Sequence, residues 1–299
     1  MSNKANAVLN PAGIFIDGPR LFTTKTLQAR NIWVPVGNVY YVDSRVASSG
    51  NGLSWSKAYK TIAEANTVMQ NRIDWAASPW ANNDICFIGP GTYAENLTTL
   101  AHGCWYVGAG WDMRDGQFGT KIKPATGAPI DVGAAVNIGF TNIGFESPGT
   151  YPAFDSDILN SCFFDNCYFT GPAETSTITA CIVTKDAVMN RIIECIFSCA
   201  DKGIDVNYAD GGDSFSHNKI IDCIFDQIDS AGIEISSSLV GPSSLVKRCS
   251  FHGAGVTMSY AISDGSAILD VSWCDAESTS GFNGVRSVNA SYNNGALVT

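Results

Sequence analysis

The sequence is poor in charge, and the charge that it carries is mostly of one sign. Only 15% of its 299 residues are Asp, Glu, Lys or Arg, and 28 acidic residues against 18 basic ones leave a net charge of −10. Nucleic-acid binding requires clustered Lys and Arg that neutralise phosphates, so this balance argues against nucleic acid as a partner. It also gives no support for binding to an anionic membrane.

Long apolar runs are missing as well. No stretch of about 18 apolar residues occurs, so we expect no membrane-spanning helix. The start, MSNKANAVLNPAGIF, lacks the apolar run of a signal peptide, which predicts synthesis in a cytoplasm. Ten cysteines are present, but no CxxC pair occurs and several lie inside apolar runs, so we expect reduced, buried thiols.

Motifs of known chemistry are equally scarce. The three histidines, His102, His217 and His252, lie far apart and without ligand spacing, which argues against a zinc site. The GAG at Gly108–Gly110 is followed by neither a third glycine nor a βαβ unit, and no G-x-S-x-G sequence occurs. We therefore assign no cofactor, no metal ligand and no catalytic residue.

What the sequence does contain is a repeat. The segment NRIIECIF, which begins at Asn190, recurs 28 positions later as NKIIDCIF, which begins at Asn218. The two copies differ at only two positions, where Lys replaces Arg and Asp replaces Glu. The centre of each copy is a small apolar residue followed two positions later by a large one, usually aromatic. The copies are Ile143-Gly144-Phe145, Cys167-Tyr168-Phe169, Cys195-Ile196-Phe197, Cys223-Ile224-Phe225, Cys249-Ser250-Phe251 and Val271-Ser272-Trp273.

A repeat of this length is typical of a solenoid. The L-x-x-L-x-L pattern of leucine-rich repeats is absent, whereas a spacing of two places both central residues on one side of a strand. A second strand per coil is visible as KGIDV (202–206) and AGIEI (231–235). We predict an all-β fold, a parallel β-helix solenoid in which Cys stacks on Cys and Phe on Phe inside the coil.

The predicted solenoid has different ends. A capping helix is expected near residues 57–73, where Thr61 and Glu64 fit a capping box. Apolar residues follow at helical spacing, at Ala58, Ile62, Ala65 and Met69. The C-terminal end, residues 276–299, is rich in Ser, Asn and Gly and is expected to be irregular.

The opening of the predicted solenoid resembles a known superfamily. VYYVDSRVASSGNGLSWSKAYKTIAEA (39–65), followed by GPGTYAEN (89–96), is similar to the first segment of right-handed parallel β-helix proteins of the pectate-lyase-like superfamily. With the repeats, the resemblance covers residues 38–275 and implies a right-handed coil. The superfamily includes lyases, glycosidases, phage tailspikes, adhesins and capsid decoration proteins, so it predicts the fold more sharply than the function.

Two groups of acidic residues are candidates for chemistry. The residues before each small central residue should point outward: Asn142, Asn166, Glu194, Asp222, Arg248 and Asp270. Glu194 and Asp222 would lie one rung apart, roughly 5 Å, which is near the carboxyl separation of a retaining glycosidase. The more ordinary interpretation is an outward polar row in which Arg248 neutralises the pair.

The second group lies in the loop YADGGDSFSH (208–217). Asp210, Asp213 and His217 could supply a general base or bind a cation. A glycine-rich turn with solvated acids is the more ordinary explanation.

The outward positions also include a column of apolar residues. Tyr168, Ile196 and Ile224 fall on three successive rungs, and Ile192 and Ile220 should alternate outward beside them. Because stacked rungs merge such residues into a stripe, we predict a subunit interface at these five positions. The alternative is that another segment of the same chain covers the stripe.

Residues 1–37 lie outside the resemblance and contain Pro11, Pro19 and Pro35. We predict an extended N-terminal arm that docks onto a major capsid protein or another virion protein. The resulting hypothesis is a structural virion protein, made in the host cytoplasm, that decorates a capsid or forms a spike as a homotrimer. The alternative is a polysaccharide lyase, a glycoside hydrolase or a non-catalytic glycan-binding tailspike that acts on surface polysaccharide.

Overall fold

The computed structural model describes the backbone of 14–17 and 20–23, together with residues 37–72, 83–110, 119–172, 178–207, 215–236, 242–253, 258–289 and 291–298. Of the predicted arm, only residue 37 and two short antiparallel strands are described. The loop residues Asp210 and Asp213 lie outside the described residues.

Within the described residues, one α-helix and one short 3-10 helix lie between the first two strands of the coil. The 3-10 helix spans Trp55–Lys57, and helix α1 spans Ile62–Asn71. Thr61 accepts a hydrogen bond from the backbone N–H of Glu64, and the Glu64 side chain accepts one from the backbone N–H of Thr61. This pair of bonds confirms the predicted capping box, which satisfies N–H groups that have no partner inside the helix.

The first fourteen strands lie between residues 14 and 188. They are β1 (Ile14–Asp17), β2 (Arg20–Thr23), β3 (Val39–Val42), β4 (Ile85–Ile88), β5 (Gly91–Tyr93), β6 (Trp105–Gly108), β7 (Thr120–Ile122), β8 (Ile130–Val136), β9 (Gly139–Thr141), β10 (Gly144–Glu146), β11 (Phe154–Asn160), β12 (Phe163–Asp165), β13 (Tyr168–Thr170) and β14 (Ile178–Val188).

The remaining strands complete the coil. They are β15 (Arg191–Ile193), β16 (Ile196–Val206), β17 (Phe215–Ser216), β18 (Lys219–Ile221), β19 (Ile224–Ile235), β20 (Ser244–Lys247), β21 (Ser250–Gly253), β22 (Tyr260–Asp264), β23 (Leu269–Ser272), β24 (Asp275–Ala276), β25 (Phe282–Asn283), β26 (Ser287–Asn289), β27 (Ser291–Asn293) and β28 (Ala296–Val298).

Apart from the β1-β2 pair, these strands form two large sheets. Sheet A has ten strands in the order β26-β23-β20-β18-β15-β12-β9-β6-β4-β3, and sheet B has sixteen strands and supplies the rest of the wall. The coil strands pair in parallel, each with the strand one turn earlier. The result confirms the predicted all-β, right-handed parallel β-helix.

The coil interior is built from columns of like residues. Successive phenylalanine rings stack nearly parallel, with centroids 4.9, 5.2, 4.7 and 4.6 Å apart from Phe145 to Phe251. A thiol column runs beside them, made of Cys167, Cys195, Cys223, Cys249 and Cys274, each at most 2% exposed. All ten cysteines are free and buried, as the sequence predicted.

Glycine is required where a second strand passes close to the phenylalanine column. A Cβ on Gly203 would come within 2.4 Å of the Phe225 ring, and one on Gly232 within 2.3 Å of the Phe251 ring. The glycines of KGIDV and AGIEI therefore allow the strand and the ring column to pack directly against each other.

The last predicted copy of the repeat is out of register. Cys274 and Ala276, not Val271 and Trp273, continue the two columns, because Ala276 pairs with Phe251. Val271 instead pairs with Val246 in sheet A. Asp270 therefore lies on the outer face of sheet A, and Trp273 takes the corner position that the sequence analysis gave to Asp270.

The C-terminal segment is more regular than its composition indicated. Four short strands, β25 to β28, extend the coil beyond residue 276. The final two strands form an antiparallel hairpin around Asn294 and Gly295, both with positive φ. An Asn-Gly pair fits such a two-residue turn because both residues tolerate the left-handed conformation.

Candidate functional surface

In six turns of the coil, a single left-handed residue forms the corner between a sheet A strand and the sheet B strand that follows it. The φ angles of these corner residues range from 51° to 58°, and none of the residues is glycine. They are Asn142, Asn166, Glu194, Asp222, Arg248 and Trp273. Because a left-handed residue turns the chain sharply, the in-and-out alternation of the strand before it does not continue into the strand after it.

This corner corrects two of the five predicted interface residues. Ile192 and Ile220 are 5% and 1% exposed and belong to the core inside the coil. Alternation continued backward from Ile196 and Ile224 through the corner would place them outside, and this is why they were predicted in the interface. Their neighbours Ile193 and Ile221 occupy the outward positions of the same strands.

The other three predicted residues do form a column on the outer surface. Tyr168, Ile196 and Ile224 are in register on strands β13, β16 and β19. Their exposure increases along the column: Tyr168 is 7% exposed, Ile196 is partly buried and Ile224 is 41% exposed. Whether this column contacts another subunit stays a prediction.

The candidate carboxylate pair is dominated by its cationic neighbour. Nε and Nη2 of Arg248 donate hydrogen bonds of 2.5 and 2.6 Å to the two carboxylate oxygens of Asp222. These bonds hold the pKa of Asp222 below its usual value. An ionised, paired Asp222 is poorly suited to act as an acid, and the predicted neutralisation by Arg248 is confirmed for this residue.

We expect the substitution Arg248→Gln to raise the pKa of Asp222 toward that of an ordinary carboxyl group. Because the pKa is lowered in the folded state, this carboxylate stabilises the fold above its unfolded pKa and loses the effect as pH falls through the folded one. Carbon-13 NMR titration of the side chain measures the change. Lys247→Gln is the control and should cause a smaller rise, since Lys247 is the weakest of the causes. An unchanged pKa in Arg248→Gln would contradict the assignment.

An apolar cluster that was not predicted from the sequence lies outside the coil. Ile85, Trp105 and Phe163 are buried on the outer face of sheet A, with a tilted ring contact of 5.6 Å between Trp105 and Phe163. Three partly buried residues pack against them: Phe87, Val107 and Ile193. The available signal was alternation within each short strand, which puts Ile85 and Phe87 on the opposite side from the fully buried Cys86.

Farther along sheet A, basic residues join this apolar row. Strands β15, β18 and β20 have the sequences RII, KII and SLVK and contain no acidic residue. Their basic residues, Arg191, Lys219 and Lys247, lie outside the core. We call these three basic residues the cationic strip. Among the described residues, none of the three forms an ion pair. Ile193 and Ile221 lie beside them on the same face.

Sheet B carries the opposite charge at the same rungs. Strands β16 and β19 contain five acidic residues and one basic residue, Lys202. These acidic residues are Asp201, Asp205, Asp226, Asp229 and Glu234, and they lie on two faces, because left-handed residues at Cys199 and Gln227 turn β16 and β19 a second time. Lys202 lies 3.0 Å from Asp205 and 3.3 Å from Glu234, so it offsets only part of this charge.

Two further searches concern only the part of the chain that the structure describes. There, no group of three or more His, Cys, Asp or Glu side chains is arranged to hold a metal ion. No helix in those ranges has both the length and the apolarity needed to cross a membrane. His217 occupies an exposed left-handed corner beside β18, away from the Glu194 corner.

Comparison with known proteins identifies the fold. No protein-family model matches the sequence, and a comparison with curated proteins gives no match. A pectate lyase of known structure aligns with a TM-score of 0.51 and 10% identity over 90% of this chain and 80% of that one. A pectin methylesterase from Erwinia chrysanthemi aligns with a TM-score of 0.49 and 12% identity over 87% of this chain and 90% of that one.

The chain therefore has a right-handed parallel β-helix fold, which that pectate lyase shares and which the opening segment and the repeats predicted. At these identities the likeness concerns the fold alone, because this fold supports unrelated functions.

Proposed function

We propose that this chain is a structural protein of a phage particle, a β-helix subunit that decorates a capsid or forms a spike. It works by binding other proteins along its outer surface. The observation that carries the proposal is the outer face of sheet A, where Ile193 and Ile221 lie in register beside the cationic strip. Partly exposed apolar residues that repeat from rung to rung are typical of a contact surface.

The virion setting rests on the resemblance of the opening segment and on residues 1–37. We propose this arm as the anchor to a major capsid protein or another virion protein, and a homotrimer as the assembled form. A short β-helix suits such a role because its rungs hold outer side chains at fixed spacing on a rigid wall.

Co-sedimentation with purified phage particles tests this proposal. The full-length chain should band with the particles in a density gradient, and a chain lacking residues 1–37 should stay in the soluble fraction. Because the described coil begins after the arm, the truncated chain should keep its circular dichroism spectrum and its melting temperature. A full-length chain that never bands with particles, or a truncated one that still does, contradicts the proposed role or the proposed anchor, respectively.

A second function, the binding or cleavage of an acidic polysaccharide, is favoured by the cationic strip. Arg191 and Lys219 are in register on neighbouring strands, and Lys247 follows on the next strand in register with Ile221. The pectate lyase with this fold acts on an acidic polymer. Polygalacturonate is a suitable probe: the structural proposal predicts that it stays uncut. If cleavage is observed and either Glu194→Gln or Asp222→Asn abolishes it while the fold is retained, the enzymatic alternative is correct.

A further inference from the structure

We propose that the C-terminal end of the coil binds the same end of a second copy, through antiparallel pairing of strand β28 with its counterpart. Two coils would then lie end to end, with their axes running in opposite directions. This edge belongs to neither the arm nor the cationic strip, so the contact goes beyond the proposed function. The backbone groups of the edge, its exposed side chains and its lack of charge all favour a second copy as the partner.

Strand β28 is the outermost strand at this end of the coil. It pairs with β27 and forms the edge of sheet B, with no further strand beside it among the described residues. Sheet A ends with β26, which precedes β27 along the chain, so β28 extends one strand farther than sheet A. A second molecule that approaches this end along the coil axis therefore meets β28 first.

The hydrogen-bonding groups of Leu297 point away from the coil. The Tyr292 N–H donates a hydrogen bond of 2.8 Å to the Cys274 carbonyl in the preceding turn, so it does not bond to Leu297, its partner on β28. In antiparallel strands, the two members of such a pair direct their N–H and C=O groups toward the outer edges. The N–H and C=O groups of Leu297 therefore face the edge at which a further strand would bind.

Pairing of β28 with itself satisfies these groups by symmetry. When Leu297 lies opposite Leu297 of the second copy, a twofold axis normal to the sheet relates the strands, and each leucine N–H meets the C=O of the other leucine. The contact is isologous, because both copies contribute the same groups, and it closes at two copies. Since the twofold axis reverses the direction of the coil, the two coils lie in line.

The side chains at this edge are apolar and exposed. Tyr292 and Leu297 are 46% and 56% exposed and pair across the hairpin on the outer face of sheet B. The twofold contact would extend this pair into a row of tyrosine, leucine, leucine and tyrosine, which removes apolar area from water. Strand β28 has the sequence ALV, without the charge or proline that commonly protects an edge strand from pairing.

This end of the coil is also poor in charge. The chain carries a net charge of −10, so most orientations of two copies bring like charges together. Residues 278–298 contain a single charged residue, Arg286, which lies 3.7 Å from Asp270. Contact through this end therefore avoids most of the repulsion that opposes other arrangements of two copies.

For a single pair of coils we expect this contact to be weak. One three-residue strand and two exposed side chains per copy are fewer than the residues needed to bury about 1,000 Å², the area expected of a stable interface. If three coils associate as in the proposed homotrimer, three such contacts act together and multivalency strengthens the association. A single coil should therefore pair only at high concentration, whereas a trimer should form an assembly of six copies.

A charge-exchange experiment at position 297 of the full chain tests this inference. Leu297→Lys and Leu297→Glu each place like charges opposite each other in the twofold pair, so each variant alone should self-associate at least about tenfold more weakly than wild type. Mixed in equal amounts, the two variants should associate again, because the twofold register places position 297 opposite itself. Sedimentation velocity measures the association, and native mass spectrometry with one variant labelled with nitrogen-15 identifies the mixed pairs.

Trp273→Ser is the matched control for these variants. Trp273 is 61% exposed, slightly more than Leu297, but it occupies a corner one turn before the edge. Its replacement should leave the association constant within about twofold of wild type. A loss as large as that of the Leu297 variants would show that exposed apolar residues in general cause the association, and this would overturn the inference.

Circular dichroism and thermal melting show whether each variant folds. Leu297→Pro is a second test at the same position, because it removes the outward N–H, which the hairpin does not use, and should also weaken association at least about tenfold. If the variants do not fold, hydrogen exchange in wild type decides. The Leu297 amide should exchange more slowly at high protein concentration than at low, and equal rates would contradict the pairing.

The outcomes separate this inference from the proposed function. Wild type without Leu297-dependent association at concentrations up to about 1 mM overturns the inference, as does a mixture of the charged variants that does not recover. Wild type that pairs end to end but never bands with phage particles removes the proposed function and leaves the inference standing. A Leu297 amide that becomes protected only when particles are added identifies another virion protein as the partner of this edge and overturns the inference.

Discussion

Replacing Phe197 with alanine is expected to lower the free energy of unfolding by about 3–5 kcal/mol. The ring is fully buried at the centre of the phenylalanine column, with the Phe169 ring 5.2 Å away on one side and the Phe225 ring 4.7 Å away on the other. Its removal leaves a cavity that the rungs cannot close, because their hydrogen-bonded ladders fix the distance between neighbouring strands. Urea unfolding followed by circular dichroism measures the loss.

Phe282→Ala is the matched control for this substitution. Phe282 is only partly buried and meets the column at its end, in an edge contact of 6.4 Å with Phe251. Its removal should cost about 1–2 kcal/mol, mainly from lost apolar burial. Equal losses for the two variants would show that position within the column does not matter.

Replacing Asn218 with alanine is expected to cost about 2–4 kcal/mol. Its side chain donates a hydrogen bond of 2.8 Å to the Ala187 carbonyl and accepts one of 3.0 Å from the backbone N–H of Asn190. Asn218 and Asn190 are 3% and 1% exposed, so these groups would lose their partners away from water. The free energy of unfolding should fall, and hydrogen exchange at the Asn190 amide should become faster.

Asn207→Ala is the control at a solvent-exposed asparagine. Its backbone N–H bonds to the Thr184 carbonyl, a contact that alanine keeps. We expect a change within about 0.5 kcal/mol. If Asn218→Ala is equally mild, water replaces the lost amide and the asparagine pair is not essential to the stacking of these rungs.

The asparagine pair shows why the repeat was such a strong signal. Asn190 and Asn218 open the two most similar copies, and in the folded chain one lies above the other and bonds to it. Identical residues at equal spacing stack because each turn of a parallel coil repeats the position of the previous turn. The same reasoning predicted the thiol and phenylalanine columns, and local chemistry predicted the capping box of α1.

The outer surface was harder to predict, because its pattern depends on the corners. Asn142 and Asn166 are residues that favour the left-handed conformation, but Glu194, Arg248 and Trp273 occupy the same position without such a preference. If one corner is overlooked, alternation assigns the side chains of the strand before it to the wrong side of the coil wall. For that reason Ile192 was placed in the interface and Ile193 was overlooked.

The sequence by itself thus determined the fold, the repeat of the coil and the residues that stack inside it, because these follow from spacing along the chain. Only the tertiary structure decided where the surface charges meet. The corners at Glu194 and Asp222 separate the cationic strip from the acidic residues of β16 and β19, because a single left-handed residue redirects the chain there. The composition gives only the net charge, whereas the fold decides which face carries the basic residues and which faces carry the acidic ones.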